Sequence, residues 1–285
     1  MSECLQTELA CISDSLKAWF RAHATHPTCI DVAFIGNTSE HYRSGFGRLV
    51  DFDAFVFVER MDQSAGQPLA DLRDRLIDQC AERGIDFELR IIDGPYKPAI
   101  ARLRRPVFVV HLGVFTEQLY LASPGVKRWA WRKYRCEREP GRLARMAPSQ
   151  PTLAEFVAGP KGLRWRCAAI EKGAVEMTEW LLPSLAVVSL IVTPAEVNFV
   201  ECCFAYAANV ARNHARALGA PEADQLENAE FFAWYDRTVL RSPELLDLMA
   251  HKARCRDAGF DLPAEQARQL ATDYLRKVEH QLAYV

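Results

Sequence analysis

The stretch LVDFDAFVFVE, residues 49–59, constrains the fold of this chain more than any other. Its Val and Phe content reads as a strand inside a sheet, yet it carries Asp51 and Asp53. Alternation along a strand puts both carboxylates on one face and Phe52 on the other. Buried carboxylates are costly unless paired, hydrogen-bonded or bound to a cation. Two on one face repel unless a proton or a divalent ion lies between them. A fold that accepts this strand must supply the compensating group.

The neighbouring segments give the strand its setting. Residues 5–23 place Leu5, Leu9, Ile12, Leu16 and Trp19 or Phe20 at helical spacing. CIDVAFIG, 29–36, reads as a strand ending in a Gly turn. LADLRDRLIDQCAERG, 69–84, is helical by its Leu69, Leu72, Leu76, Ile77 and Cys80 stripe and closes at Gly84. IDFELRIID and PVFVVHLGVFT are two further strands, separated by a turn at GPYKP. Helix, strand, strand, helix, strand, strand predicts an α/β or α+β unit with a mixed sheet.

From about residue 123 the chain turns basic and aromatic through SPGVKRWAWRKYRCEREPGRLARMAPSQP. Beyond it, helices are predicted over 152–158, 163–192, 194–218, 222–240, 243–258 and 263–283. Pro194 after Thr193 and Pro243 after Ser242 are helix N-terminal signals. The expected fold class is therefore α+β, with a mixed-sheet domain over 1–122, a connector over 123–150 and an all-α helical domain over 151–285.

Composition narrows the function classes. The 285 residues suffice for one large domain or two modest ones, and 49% hydrophobic with 25% charged residues is ordinary for a globular protein. A net charge of −2 argues against a generally basic nucleic-acid binder, so any basic surface is local. Nine scattered cysteines without a Cys-x-x-Cys pair suit neither a zinc site nor a disulfide framework, and point to a reducing compartment. Cys202 and Cys203 read as small core residues. The first 20 residues lack the basic region and apolar core of a signal peptide. WLLPSLAVVSLIVTP, 180–194, is too short to span a bilayer comfortably and reads as a buried segment. A cytoplasmic protein without a membrane segment is expected.

Upstream of the acid pair, IGNTSEHYRSGFG offers a Gly36 turn, the Thr38 and Ser39 hydroxyls, Gly45 and Gly47, with Arg43 and Arg48 adding charge. Such a loop can present backbone N–H groups to phosphate oxygens. A strand ending in Gly-Ser or Gly-Gly, a polar loop and Asp-x-Asp on the next strand mark the nucleotidyltransferase superfamily related to DNA polymerase β. The chain resembles that superfamily through FIGNTSEHYRSGFGRLVDFDAFVFVE, and its order of elements is similar to the small-substrate and antibiotic-modifying branch.

The resemblance implies transfer of a nucleoside monophosphate, most often AMP, from an NTP to a hydroxyl-bearing small molecule, with release of pyrophosphate. Alternatives are a tRNA end or protein side chain as acceptor, and an inert nucleotide-binding protein of the same fold. It implies Mg²⁺ (or Mn²⁺) held by Asp51 and Asp53, and β- and γ-phosphates held by Gly36, Asn37, Thr38, Ser39 and Arg48. Asn37 stands where the family has its second turn residue, which passes phosphate contact to Thr38 or Ser39. For the third family carboxylate the candidates are Glu88, with Asp86 or Asp93 as register alternatives. His111 is the other candidate, as general base or metal ligand.

Two further groups are candidates. In 127–145, arginines interleave with Trp129, Trp131 and Tyr134, a pattern that can stack bases and hold phosphates. Lys127, Arg128 and Lys133 are the expected triphosphate donors there, and a solvated linker is the plain alternative. In the helical half, Asn198, Glu201, Tyr206 and Asn209 lie on a long apolar helix as an acceptor pocket or as satisfied core groups.

Overall fold

The β-branched and aromatic runs form strands of one sheet. The computed structural model describes residues 3–34, 49–99, 104–122, 135–146, 152–220, 226, 228–258 and 263–283. The strands are β1 (Cys29–Phe34), β2 (Leu49–Val58), β3 (Asp86–Asp93), β4 (Val107–Phe115), β5 (Arg135–Cys136), β6 (Val175–Leu181) and β7 (Ala186–Val192). Their order across the seven-stranded sheet is β5-β1-β2-β4-β3-β6-β7. β2 and β3 both run parallel to β4 between them, and the outer pairs are antiparallel. The fold is α+β with a mixed sheet.

Alternation gives the sheet two different faces. Val50, Phe52, Ala54, Val56 and Val58 of β2 join Val110 and Leu112 of β4 on one of them. That face is covered by α1 (Glu3–His23), through Leu9, Ile12, Leu16 and Phe20, and by α2 (Gln63–Ala81), through Leu69, Leu72, Leu76 and Cys80. Asp62 caps α2 by accepting from the Ser64 N–H at 3.0 Å, and Gly84 at φ +67° ends the turn that follows it. On the other face Phe55, Phe57, Phe115 and Tyr120 pack edge to face, with Phe55–Phe115 and Phe57–Tyr120 centroids at 5.4 Å. Among the described residues, this aromatic cluster, with the short helices α3 (Glu117–Ala122) and α4 (Arg142–Arg145), covers the C-terminal ends of β2 and β4. Nearer the strand starts, the same face carries Asp51, Asp53 and His111.

A third strand acid, Asp31, is fully buried in β1. It accepts from the N–H groups of Val32 at 2.8 Å, Arg138 at 2.8 Å and Glu139 at 3.0 Å, and from Arg142 Nε at 3.2 Å. Arg142 also pairs with Glu117 and Glu139. The described part of the basic stretch is thus spent on fastening β5 and its flanks to β1.

The segment expected to be helical over 163–192 divides. After α5 (Leu153–Ala158), α6 (Leu163–Lys172) stops at Gly173, φ +63°, and β6 and β7 follow as a hairpin. Pro183 interrupts any helix there, and Val175 and Met177 are buried on either side of exposed Glu176, a period of two. The region after residue 151 is therefore not all α: its hairpin extends the sheet, with Ile92 opposite Glu179 and Asp93 opposite Thr178. Nor is the most apolar stretch buried, because Val187 is 65% and Ile191 63% exposed. Its apolar residues alternate between two faces, and only one face is covered.

The remaining helices are α7 (Phe199–Ala217), α8 (Asn228–Thr238), α9 (Pro243–Ala258) and α10 (Ala264–Leu282). They pack around Cys202, Cys203, Phe231, Tyr235 and Tyr274, so the adjacent cysteines are core residues. Pro243 opens α9 as expected. α7 begins later than expected, capped by Asn198, whose Oδ1 accepts from the Glu201 N–H at 3.2 Å. Thr193 and Pro194 instead form a turn closed by Glu196 on the Thr193 N–H at 2.9 Å. Among the described residues no helix is long and apolar enough to cross a membrane.

Asp31→Ala strands three backbone donors and a guanidinium, and is expected to cost about 3–5 kcal/mol in urea unfolding. A loss below about 1 kcal/mol, the range of an ordinary surface change, would contradict this role.

Candidate active site

The parallel register sets the polar face. Asp51 lies opposite Val109, which lies opposite Glu88, and in the next row Asp53, His111 and Arg90 stand side by side. Adjacent strands are about 4.8 Å apart. His111 is therefore the direct neighbour of Asp53, whereas Glu88 is separated from Asp51 by β4, about 10 Å across the sheet.

His111 Nδ1 is 3.1 Å from Asp53 Oδ1. With Asp53 accepting and the ring neutral, Nδ1 carries the proton and donates, which leaves Nε2 as the ring's acceptor. Nε2 is buried and has no hydrogen-bond partner among the described residues. The Tyr96 ring stands edge-on to the imidazole, centroids 6.2 Å apart. Asp53 itself keeps 35% of its side chain open to solvent.

Asp51 is compensated from a different element. The Lys97 ammonium donates to Asp51 Oδ2, and the two side chains are only 13% and 12% exposed. Lys97 belongs to the connection between β3 and β4. Because those strands are parallel, this connection must return past the sheet, and its described part sets Tyr96 and Lys97 over the acid-bearing face. Its backbone is pinned by the start of α7: the Asn198 N–H donates to the Lys97 carbonyl at 2.8 Å, and Pro98 bridges to Val197. The Cys202 thiol also donates to the Pro95 carbonyl at 3.0 Å.

Glu88 shares the face but serves another network. Arg90 donates to it from Nε at 2.7 Å and to Glu179 of β6 from Nη1 at 2.8 Å. The Tyr96 hydroxyl donates to Glu88 at 3.1 Å, and the Arg90 guanidinium lies 4.8 Å from the Tyr96 ring centre. Burial opposes the Arg90 charge, but Glu179 and Glu88 outweigh it and raise its pKa. Burial, then the Glu88 charge, pushes the Tyr96 phenol up to about 12, so it remains a donor at neutral pH. Of the register alternatives, Asp86 stands at the exposed start of β3, and Asp93 is paired with Lys161 at 2.9 Å.

The structure thus brings together Asp51, Asp53 and His111, and leaves Glu88 in a separate cluster on the same face. Gly36, Asn37, Thr38, Ser39, Arg48, Lys127, Arg128 and Lys133 lie outside the described residues. The four acceptor-pocket candidates are all buried in α7 or at its cap. Glu201 pairs with Lys252 at 3.3 Å, Tyr206 lies under the Arg166 guanidinium at 4.8 Å, and Asn209 accepts from Asn213 at 2.9 Å. Cavities of about 1080 and 530 Å³ lie elsewhere, beside Arg276 and Lys277 and beside Trp19 and His23, and none of the four lines them.

Lys97, Tyr96 and Arg90 are the site-face residues that sequence reasoning missed. The available signal was topological: a connection joining parallel neighbours must cross the sheet, and its lysine is then a candidate partner for the acid pair. Among the described residues no group of three or more His, Cys, Asp or Glu side chains is arranged to hold a metal ion. The chain matches no known protein family, no curated protein and no solved structure.

Asp53→Asn is expected to release the His111 tautomer, seen as a change in its ring ¹⁵N shifts by NMR, while Glu88→Gln leaves those shifts in place. Unchanged His111 signals in Asp53→Asn would remove Asp53 as the residue that orients the ring.

Proposed function

We propose that the protein transfers a nucleoside monophosphate, AMP in the first instance, from an NTP to a hydroxyl-bearing small molecule. The observation that carries this reading is the placement of Asp51 and Asp53 on the face that α1 and α2 leave uncovered, with His111 in register beside them. The donor set suits Mg²⁺ or Mn²⁺, since such ions are commonly bound through one or two carboxylates, with substrate phosphates and water completing the shell. A cation held by Asp51 and Asp53 would neutralise triphosphate charge and polarise the α-phosphate.

The protein groups have distinct tasks in this reading. Asp53 fixes the His111 ring so that Nε2 accepts the proton of the acceptor hydroxyl. The hydroxyl oxygen then bonds to the α-phosphorus as the bond to the pyrophosphate oxygen breaks, and pyrophosphate leaves. Glu88 and Arg90 hold Tyr96 and the start of the returning connection.

A second reading is favoured by a specific observation. Asp51 and Asp53 each already have a basic partner, Lys97 and His111, which suits a nucleotide-binding protein without turnover. Pyrophosphate release from each NTP with Mg²⁺ and a panel of hydroxyl acceptors separates the two. Transfer predicts release that falls by at least about 100-fold in Asp51→Asn and Asp53→Asn, and that stays near wild type in Glu88→Gln. Nucleotide binding with no release from any NTP would establish the inert reading.

A further inference from the structure

We propose that Lys97 is a built-in counter-ion that holds Asp51 in the resting protein and must leave it before a divalent cation can settle there. The phosphates of the incoming nucleotide draw the ammonium away, so metal and nucleotide enter the site together. This rests on Asp51 being a metal ligand in the nucleotidyl-transfer reading above.

The geometry sets the two cations in competition for Asp51. Asp51 and Lys97 are in direct contact, and both are nearly closed to water. In such a setting a second positive centre on the same carboxylate is repelled with little solvent screening. The backbone of Lys97 is fixed by the Asn198 N–H and by the bridge from Pro98 to Val197. The side chain, by contrast, is a flexible four-carbon stem with three rotatable donors. Movement of the ammonium therefore needs no movement of the loop.

An ammonium that leaves Asp51 also needs another anion. Glu88 is held by Arg90 and Tyr96, and Glu201, in the first turn of the helix that pins the loop, is paired with Lys252. Among the described residues, neither of these acids can receive the ammonium without breaking an existing pair, and the ligand brings an anion that can. A triphosphate supplies it, and it also supplies the oxygens that complete a metal shell on Asp51 and Asp53. Sequential filling by metal first and nucleotide second is disfavoured for the same reason.

The experiment is Mn²⁺ binding to the full chain, followed by electron paramagnetic resonance of the bound ion, with and without a non-hydrolysable NTP. Wild type is expected to bind Mn²⁺ weakly alone and at least about tenfold more tightly with the nucleotide. Lys97→Met is expected to bind Mn²⁺ alone at least about tenfold more tightly than wild type and to lose most of the nucleotide's effect. Lys97→Arg, which keeps the charge, stays weak alone. If Lys97→Met gains nothing while wild type binds Mn²⁺ with nucleotide, Lys97 is a structural ion pair and the proposal fails by itself. If no protein binds Mn²⁺ under either condition, the metal reading of Asp51 fails and the proposal goes with it. Should Lys97→Met not fold, wild type decides: equal Mn²⁺ affinity with and without nucleotide overturns the proposal.

Discussion

The parallel pairing of β2 with β4, in a register that sets Asp53 beside His111, underlies the rest of this structure. It sends Phe52 and its even-numbered neighbours to the face covered by α1 and α2, and so commits Asp51 and Asp53 to the other. Once both acids share a face, something must neutralise them there. β4 provides the imidazole directly. The ammonium arrives because β3 also runs parallel to β4, which forces the connection between them back over the sheet. A slip of one residue would send the acids into the helix-covered core.

The compensation differs at the two acids. Asp51 and Lys97 form a nearly closed ion pair, in which desolvation offsets much of the attraction. Such a pair contributes little net stability compared with apolar packing, although loss of one partner alone is costly. Asp53 is more open and engages a neutral-capable ring. Asp31 shows the contrasting case: three backbone N–H groups and Arg142 satisfy it completely, deep in β1. One strand acid is built into the fold, and two are held by basic partners on the face that α1 and α2 leave uncovered.

Much of this was legible in the sequence. β1 to β4 and most helices follow from runs of β-branched residues and from 3.6-residue stripes, and alternation alone put Asp51 and Asp53 on one face. β7 was not legible, because WLLPSLAVVSLIVTP is apolar on both alternating faces and so lacks the contrast that marks a half-exposed strand, whereas β6 did carry a short period of two at Val175, Glu176 and Met177. Glu88 and His111 could not be ranked because that depends on strand order: only with β4 between β2 and β3 does the histidine become the neighbour. Lys97 was hidden for a related reason. PYKP reads locally as a turn, and the direction of its lysine is fixed by the path of the chain and by contacts from Asn198, which follows it by 101 residues.

The central question for this protein is whether its acid-bearing face exchanges its own ammonium for a metal. The most direct measurement is a crystal structure with Mn²⁺ and a non-hydrolysable NTP, using anomalous scattering to locate the ion. An anomalous peak is expected between Asp51 and Asp53, with Lys97 Nζ moved from Asp51 onto a phosphate oxygen. A nucleotide bound with no peak at those carboxylates, and Lys97 still on Asp51, would contradict this exchange.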